Sequence, residues 1–266
     1  MLGKLVKYDF KWINKVMLIY YTIALILTIT TKFVENILNT EQTMIIVIID
    51  KILVGMLISC FFSIIVTCIM RIWARFSKNI YGDESYLIHT LPVSKGKIFN
   101  AKILASIATI IISILVIISS LAIVYLNADT VDYIKDIFKS LTDIFEKNGT
   151  IGMIVAAILL VISELVFIMF SGIFGMIVGN KANNRKVLKS VLVGIMTYGF
   201  LSGFLLIITY ILAQFNPTVM ELYKTELPSP DSIKLIFYIG LAVYTIYNIG
   251  YYLACKKLLE QGVNVD

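Results

Sequence analysis

Met44-Ile-Ile-Val-Ile-Ile-Asp-Lys-Ile-Leu-Val-Gly-Met-Leu-Ile-Ser-Cys-Phe-Phe-Ser-Ile-Ile-Val-Thr-Cys-Ile-Met70 holds only two charged residues, Asp50 and Lys51, both toward one end. A bilayer core takes about 20 apolar residues of helix to cross. A helix is also the form that satisfies its own backbone where water is missing. The stretch therefore reads as a membrane span, and five more fit the same description, at residues 16–31, 103–126, 151–178, 191–213 and 233–254. Residues 16–31 are short for a span, so Tyr20, Tyr21, Lys15 and Lys32 must reach the interfaces. With 59% hydrophobic and 15% charged residues, and mean hydropathy +0.91, the chain is far more apolar than a soluble domain. The expected fold is an all-α membrane protein with six transmembrane helices in one domain over residues 1–266.

The connecting segments orient it. Residues 1–15, 71–102, 180–190 and the tail from 255 hold four, six, four and two Lys or Arg. Residues 32–43, 127–150 and 214–232 hold one, three and one. Positive charge stays on the cytoplasmic side, so both termini are expected inside, in a bacterial plasma membrane. The formal charge of +6 then reports topology and contact with anionic lipid, not nucleic acid. Lys4, Lys7, Lys11 and Lys15 are spread through the start with no Ala-x-Ala-like site after them, so no cleavable signal peptide is expected.

Several chemistries find no residues. His89 is the single histidine, and Cys60, Cys68 and Cys255 form no Cys-x-x-Cys, which leaves nothing for a His-based zinc site. No Gly-x-x-x-x-Gly-Lys-Ser/Thr loop exists, so the chain does not hold ATP in the P-loop way. One histidine and unpaired carboxylates also leave little for acid–base catalysis. No cofactor is expected on this chain, and no enzyme activity of its own.

At the N-terminus, Leu2, Leu5, Val6, Phe10 and Ile13 recur at helical spacing opposite the four lysines. That pattern predicts an amphipathic helix in the inner headgroup layer. The inner segment 71–102 is read as an extension of the second span that stops at Gly82, where a left-handed turn is sterically free. Asp83 and Glu84 follow at the start of a new helix, matching the positive end of its dipole. Pro92 disfavours helical geometry at Leu91, which limits that helix to about two turns with Tyr86, Leu87 and Ile88 exposed. Ser94 then caps the helix that becomes the third span.

Gly82-Asp-Glu-Ser-Tyr-Leu-Ile-His-Thr-Leu-Pro-Val-Ser-Lys-Gly-Lys-Ile-Phe-Asn-Ala-Lys-Ile-Leu104 resembles the cytoplasmic signature of small ABC-2 type permeases, the membrane subunits of bacterial ABC exporters. The opening Met-Leu-Gly-Lys-Leu-Val-Lys-Tyr-Asp-Phe-Lys also looks like the start of such Firmicute proteins. The resemblance implies that Gly82, Asp83, Glu84, Tyr86, Leu87 and Ile88 belong to a coupling helix seated in a separate ABC ATPase. ATP and magnesium would be held by that partner. It also implies a second permease copy, identical or related, around a transport path. Members of this kind export amphipathic peptides or give bacteriocin self-immunity, so a peptide substrate is expected.

Two further features stand outside that signature. Val131, Ile134, Ile137, Phe138, Leu141, Ile144 and Phe145 form a helical stripe in the outer segment. Small residues recur every four positions at Gly55, Ser59, Ser63 and Thr67, at Ala101, Ala105, Thr109 and Ser113, at Ser171, Gly175 and Gly179, and at Gly199 and Gly203. Such stripes usually mean close helix packing. Glu164 falls near the middle of the fourth span, where a charged and unpaired carboxylate is costly, so it must face the bundle or a cavity. It is a candidate for the transport path; a structural role is equally open, and an ion-coupled carrier using Glu164 is the alternative from another class.

Overall fold

After Gly3 the chain meets neither glycine nor proline until Gly55, so nothing interrupts helical bonding and α1 runs from Leu2 to Thr40. The N-terminal stripe and the first apolar stretch are thus one rod, about 58 Å long at 1.5 Å per residue. No break sets an in-plane helix apart from the span, and the additional length removes the shortfall expected of residues 16–31. The computed structural model describes residues 2–40, 43–82, 84–90, 92–125, 150–182, 184–224 and 229–261. Asp83, Leu91 and the stripe between residues 131 and 145 lie outside the described residues.

The remaining helices are α2 (Met44–Ile80), α3 (Ser85–His89), α4 (Lys95–Tyr125), α5 (Thr150–Gly179), α6 (Lys186–Phe215), α7 (Pro217–Lys224) and α8 (Pro230–Glu260). Among the described residues six helices, α1, α2, α4, α5, α6 and α8, are long and apolar enough to cross a membrane, and each contains one of the apolar stretches to within a residue. The chain is a multi-pass helical membrane protein.

Two compact units emerge, and the chain passes from one to the other after Arg75 and back at Asn100. The first unit comprises α1, α2 as far as Arg75, and α4 from Asn100. Polar side chains in its apolar interior find each other. Asn14 Nδ2 donates to Thr109 Oγ1 at 3.0 Å, Tyr21 and Ser113 hydroxyls meet at 2.7 Å, and Lys32 Nζ donates to the Val124 carbonyl at 2.7 Å. Both partners advance together along the chain, so α1 and α4 run parallel. Ala101, Ala105, Thr109 and Ser113 are buried, which makes their stripe a packing surface. The stripe of α2 is not: a side chain at Gly55 would meet nothing within 4 Å, and the buried face of α2 is instead Leu57, Cys60, Phe61, Ile64 and Cys68.

The second unit comprises residues 76–99 with α5, α6, α7 and α8. Its tightest crossing is between α5 and α6. A Cβ at Gly175 would lie 2.7 Å from the Gly194 nitrogen, and one at Gly179 would collide with Ser190. Along α5 and α8, Gly152 faces Tyr238 and Ser163 faces Asn248, so these two run parallel, and α6 returns antiparallel between them in sequence. Phe167 is fully buried and takes four tyrosine rings, those of Tyr198, Tyr244, Tyr247 and Tyr251, at centroid distances of 5.4 to 5.7 Å.

Candidate functional site

The segment between α2 and α4 follows from three local choices. α2 ends at Ile80, and the Tyr81 and Gly82 nitrogens both donate to the Ser77 carbonyl. A Cβ on Gly82 would sit 2.8 Å from the Lys78 carbonyl oxygen, but its φ is not left-handed. Glycine is required there for close approach, not for the left-handed turn its position suggested. The Ser85 nitrogen then donates to the Gly82 carbonyl at 2.9 Å, and α3 starts only at Ser85 and is five residues long. That is little more than one turn, against the two expected. Ser94 does stand before α4: its carbonyl accepts from the Lys97 and Ile98 nitrogens.

The expected coupling residues are not equivalent. Tyr86 is 75% exposed, Ile88 is half-buried, and the Leu87 side chain and all of Asp83 lie outside the described residues. Glu84 stands at the N-cap of α3 but its side chain caps nothing. Its carboxylate turns back to the end of α2, accepting from Asn79 Nδ2 at 2.8 Å and lying 3.5 Å from Lys78 Nζ.

The segment is seated on the last turns of α8. Phe76 meets Phe99 edge-on at 6.5 Å, and Phe99 meets Tyr252 at 5.8 Å. Gly96 gives α4 room beside α8: a Cβ there would lie 2.6 Å from Glu260 Oε1 and 3.3 Å from Lys256 Cε. Burial, and then the neighbouring Cys255 thiol, push the Tyr81 hydroxyl above its ordinary range. One helix thus carries the seat of this segment from Tyr252 onward and, in the two turns just before it, Tyr244, Tyr247 and Tyr251.

No family model, curated protein or solved structure matches this chain.

Glu164 lies at mid-helix in α5, one turn before Phe167. It is half-buried, within electrostatic reach of Tyr244, and has no hydrogen-bond or ion-pair partner among the described residues. Beside it, Asn248 Nδ2 donates to the Ser163 carbonyl at 2.9 Å. The tyrosines were legible only as a spacing of three and four along α8; their common target, Phe167, was not. Among the described residues no three His, Cys, Asp or Glu side chains gather as a metal site.

Asp9 was missed altogether. It is buried, accepts from Arg75 Nε at 2.7 Å, and lies 3.3 Å from Lys102 Nζ. Arg71 completes the cluster by stacking its guanidinium on Trp12 at 3.8 Å. A carboxylate among lysines in the opening residues, with Arg at 71 and 75 facing one side of a helix, is the signal that could have suggested it.

Proposed function

We propose that this chain is the permease subunit of an ATP-driven exporter, with ATP and magnesium held by a separate ABC ATPase that docks on α3. The observation that carries the reading is α3 itself, a one-turn helix with Tyr86 bare at its surface and both flanks anchored through Phe76 and Phe99 to α8. A tyrosine left in water beside a rigid support is suited to a partner's groove. Movement imposed on α3 has a packed route into α8 through Tyr252, and α8 holds the tyrosines beside Glu164. The resemblance of residues 82–104 to ABC-2 type permeases supports the same reading. Under it the membrane is the bacterial plasma membrane with both termini inside, the active unit contains a second permease copy, and the cargo is an amphipathic or hydrophobic peptide. Bacteriocin self-immunity is the same machinery serving a different need.

The decisive experiment is co-purification with the product of the neighbouring gene, which this reading expects to be the ABC ATPase. Wild type should bring the ATPase down and show peptide-stimulated hydrolysis, whereas Tyr86→Ala should insert normally and weaken both. Full association and hydrolysis in the variant would defeat the assignment. A second reading, an ion-coupled carrier, draws on the unpartnered Glu164; transport that persists without any ATPase would favour it.

A further inference from the structure

Within α5, α6 and α8 the charges are confined to the ends with one exception. Lys186 and Lys189 open α6, Asp231, Lys234, Lys256, Lys257 and Glu260 flank α8, and Glu164 alone stands in the middle. Nothing positive on these helices lies at its depth. Asn248, whose Nδ2 bonds the Ser163 carbonyl, has its Oδ1 buried without a hydrogen-bond partner, so an acceptor is left open beside the carboxylate's own turn of α5.

A groove of about 680 Å³ lies between the same three helices, with Phe174 as its α5 wall and Tyr247, the neighbour of Asn248, on its α8 side. Phe174, Thr197, Phe200, Tyr247, Gly250 and Tyr251 line it, and its walls are almost wholly apolar. Tyr247 and Tyr251 belong both to the groove and to the rings around Phe167. The volume is that of a site for a drug-sized molecule or a few peptide side chains.

We infer that Glu164 and this groove form a binding site for an amphipathic cation, its positive group beside Glu164 and its apolar body in the groove. An ionised carboxylate at mid-membrane is costly without a counter-charge, and a bound cation supplies one. An acyl chain of a lipid would fill the groove but leave Glu164 unbalanced, and an anion would be repelled. Naming the ligand as cargo rests on the permease reading; its binding does not. The peptide class proposed above is thereby narrowed to peptides carrying positive charge beside an apolar face.

The test uses the full chain in nanodiscs of zwitterionic lipid, without ATPase, so that failure of binding and failure of ATP coupling are separate results. Tritiated tetraphenylphosphonium is the probe, and tetraphenylborate is the anion of the same shape. Wild type should bind the cation saturably and not the anion. Glu164→Gln should weaken cation binding at least tenfold, and Glu164→Asp should restore most of it. Gly250→Leu, at a position where a side chain meets nothing within 4 Å, should block the groove and abolish binding. Should Glu164→Gln fail to insert, modification of wild-type Glu164 by dicyclohexylcarbodiimide, read by mass spectrometry, replaces it: the phosphonium should protect. Saturable binding of both ions alike, undiminished binding in Glu164→Gln, or no protection would each overturn the site.

Discussion

Arg75 Nε donates to Asp9 Oδ1 at 2.7 Å, joining the last residue of the first unit's α2 portion to α1. Lys102, just after the chain returns to that unit, reaches the same carboxylate at 3.3 Å. One buried acid therefore holds both ends of the excursion through residues 76–99. Taking away an acid from a buried pair strands its cations, and the cost is typically about 3–5 kcal/mol. Asp9→Ala should lower the thermal midpoint of purified protein by many degrees, and Asp9→Asn by less. Unchanged melting of Asp9→Ala would mean that the cluster adds nothing to stability.

Glycines written alike in sequence separate sharply. Gly175→Leu has no room against Gly194 and Ser190, and overpacking of this kind costs about 1–3 kcal/mol or more. Gly199→Leu meets nothing within 4 Å and replaces a poor helix former with a good one. Yield and melting of the two variants should move in opposite directions.

At the surface of the docking helix, Tyr86→Ala should weaken ATPase association about tenfold or more, because burying such a side chain is worth roughly 1.5–3 kcal/mol. Glu84→Lys should also disturb coupling, by putting a third cationic or amide group beside Asn79 and Lys78. Pull-down titration distinguishes the two, since only the first variant should leave α3 itself intact by proteolysis.

Acid should loosen the start of α8, where Ser229 and Ser232 hold Glu221 of α7. The Ser229 and Ser232 hydroxyls donate to Glu221 Oε2 at 2.5 and 2.7 Å, and these bonds hold the carboxyl below its ordinary value. With the folded pKa below the unfolded one, near 4.3, the contribution is complete above that value and fades as pH falls below it. Glu221→Gln should therefore flatten the acid limb of a melting-against-pH curve and leave neutral pH nearly unchanged.

The spans were legible because length and apolarity alone decide them. The bounds of α3 were nearly so, since Gly82 and Pro92 punctuate the chain, yet the turn through Glu84 consumed a residue or two that spacing had given to the helix. Where Glu84 points depends on Asn79 and Lys78 at the end of the preceding helix, which no local pattern reveals. The partners of Asp9 lie 66 and 93 residues away, and the tyrosines of α8 converge on Phe167 from another helix. Such pairings are matters of packing in three dimensions, and a one-dimensional period records only that a face exists.

Phe99 and Tyr252 are in contact, yet about 150 residues of synthesis separate them. At roughly 5–20 residues per second, residues 76–99 leave the ribosome some 8–30 s before their seat exists. During that interval Phe76 and Phe99, both buried in the finished protein, have no partner from α8, and the nascent chain must be shielded by the insertion machinery or by lipid. Chains interrupted before Tyr252 would keep most of their spans but leave Phe99 without its ring partner on α8, so the packing of an early segment waits on the last span made.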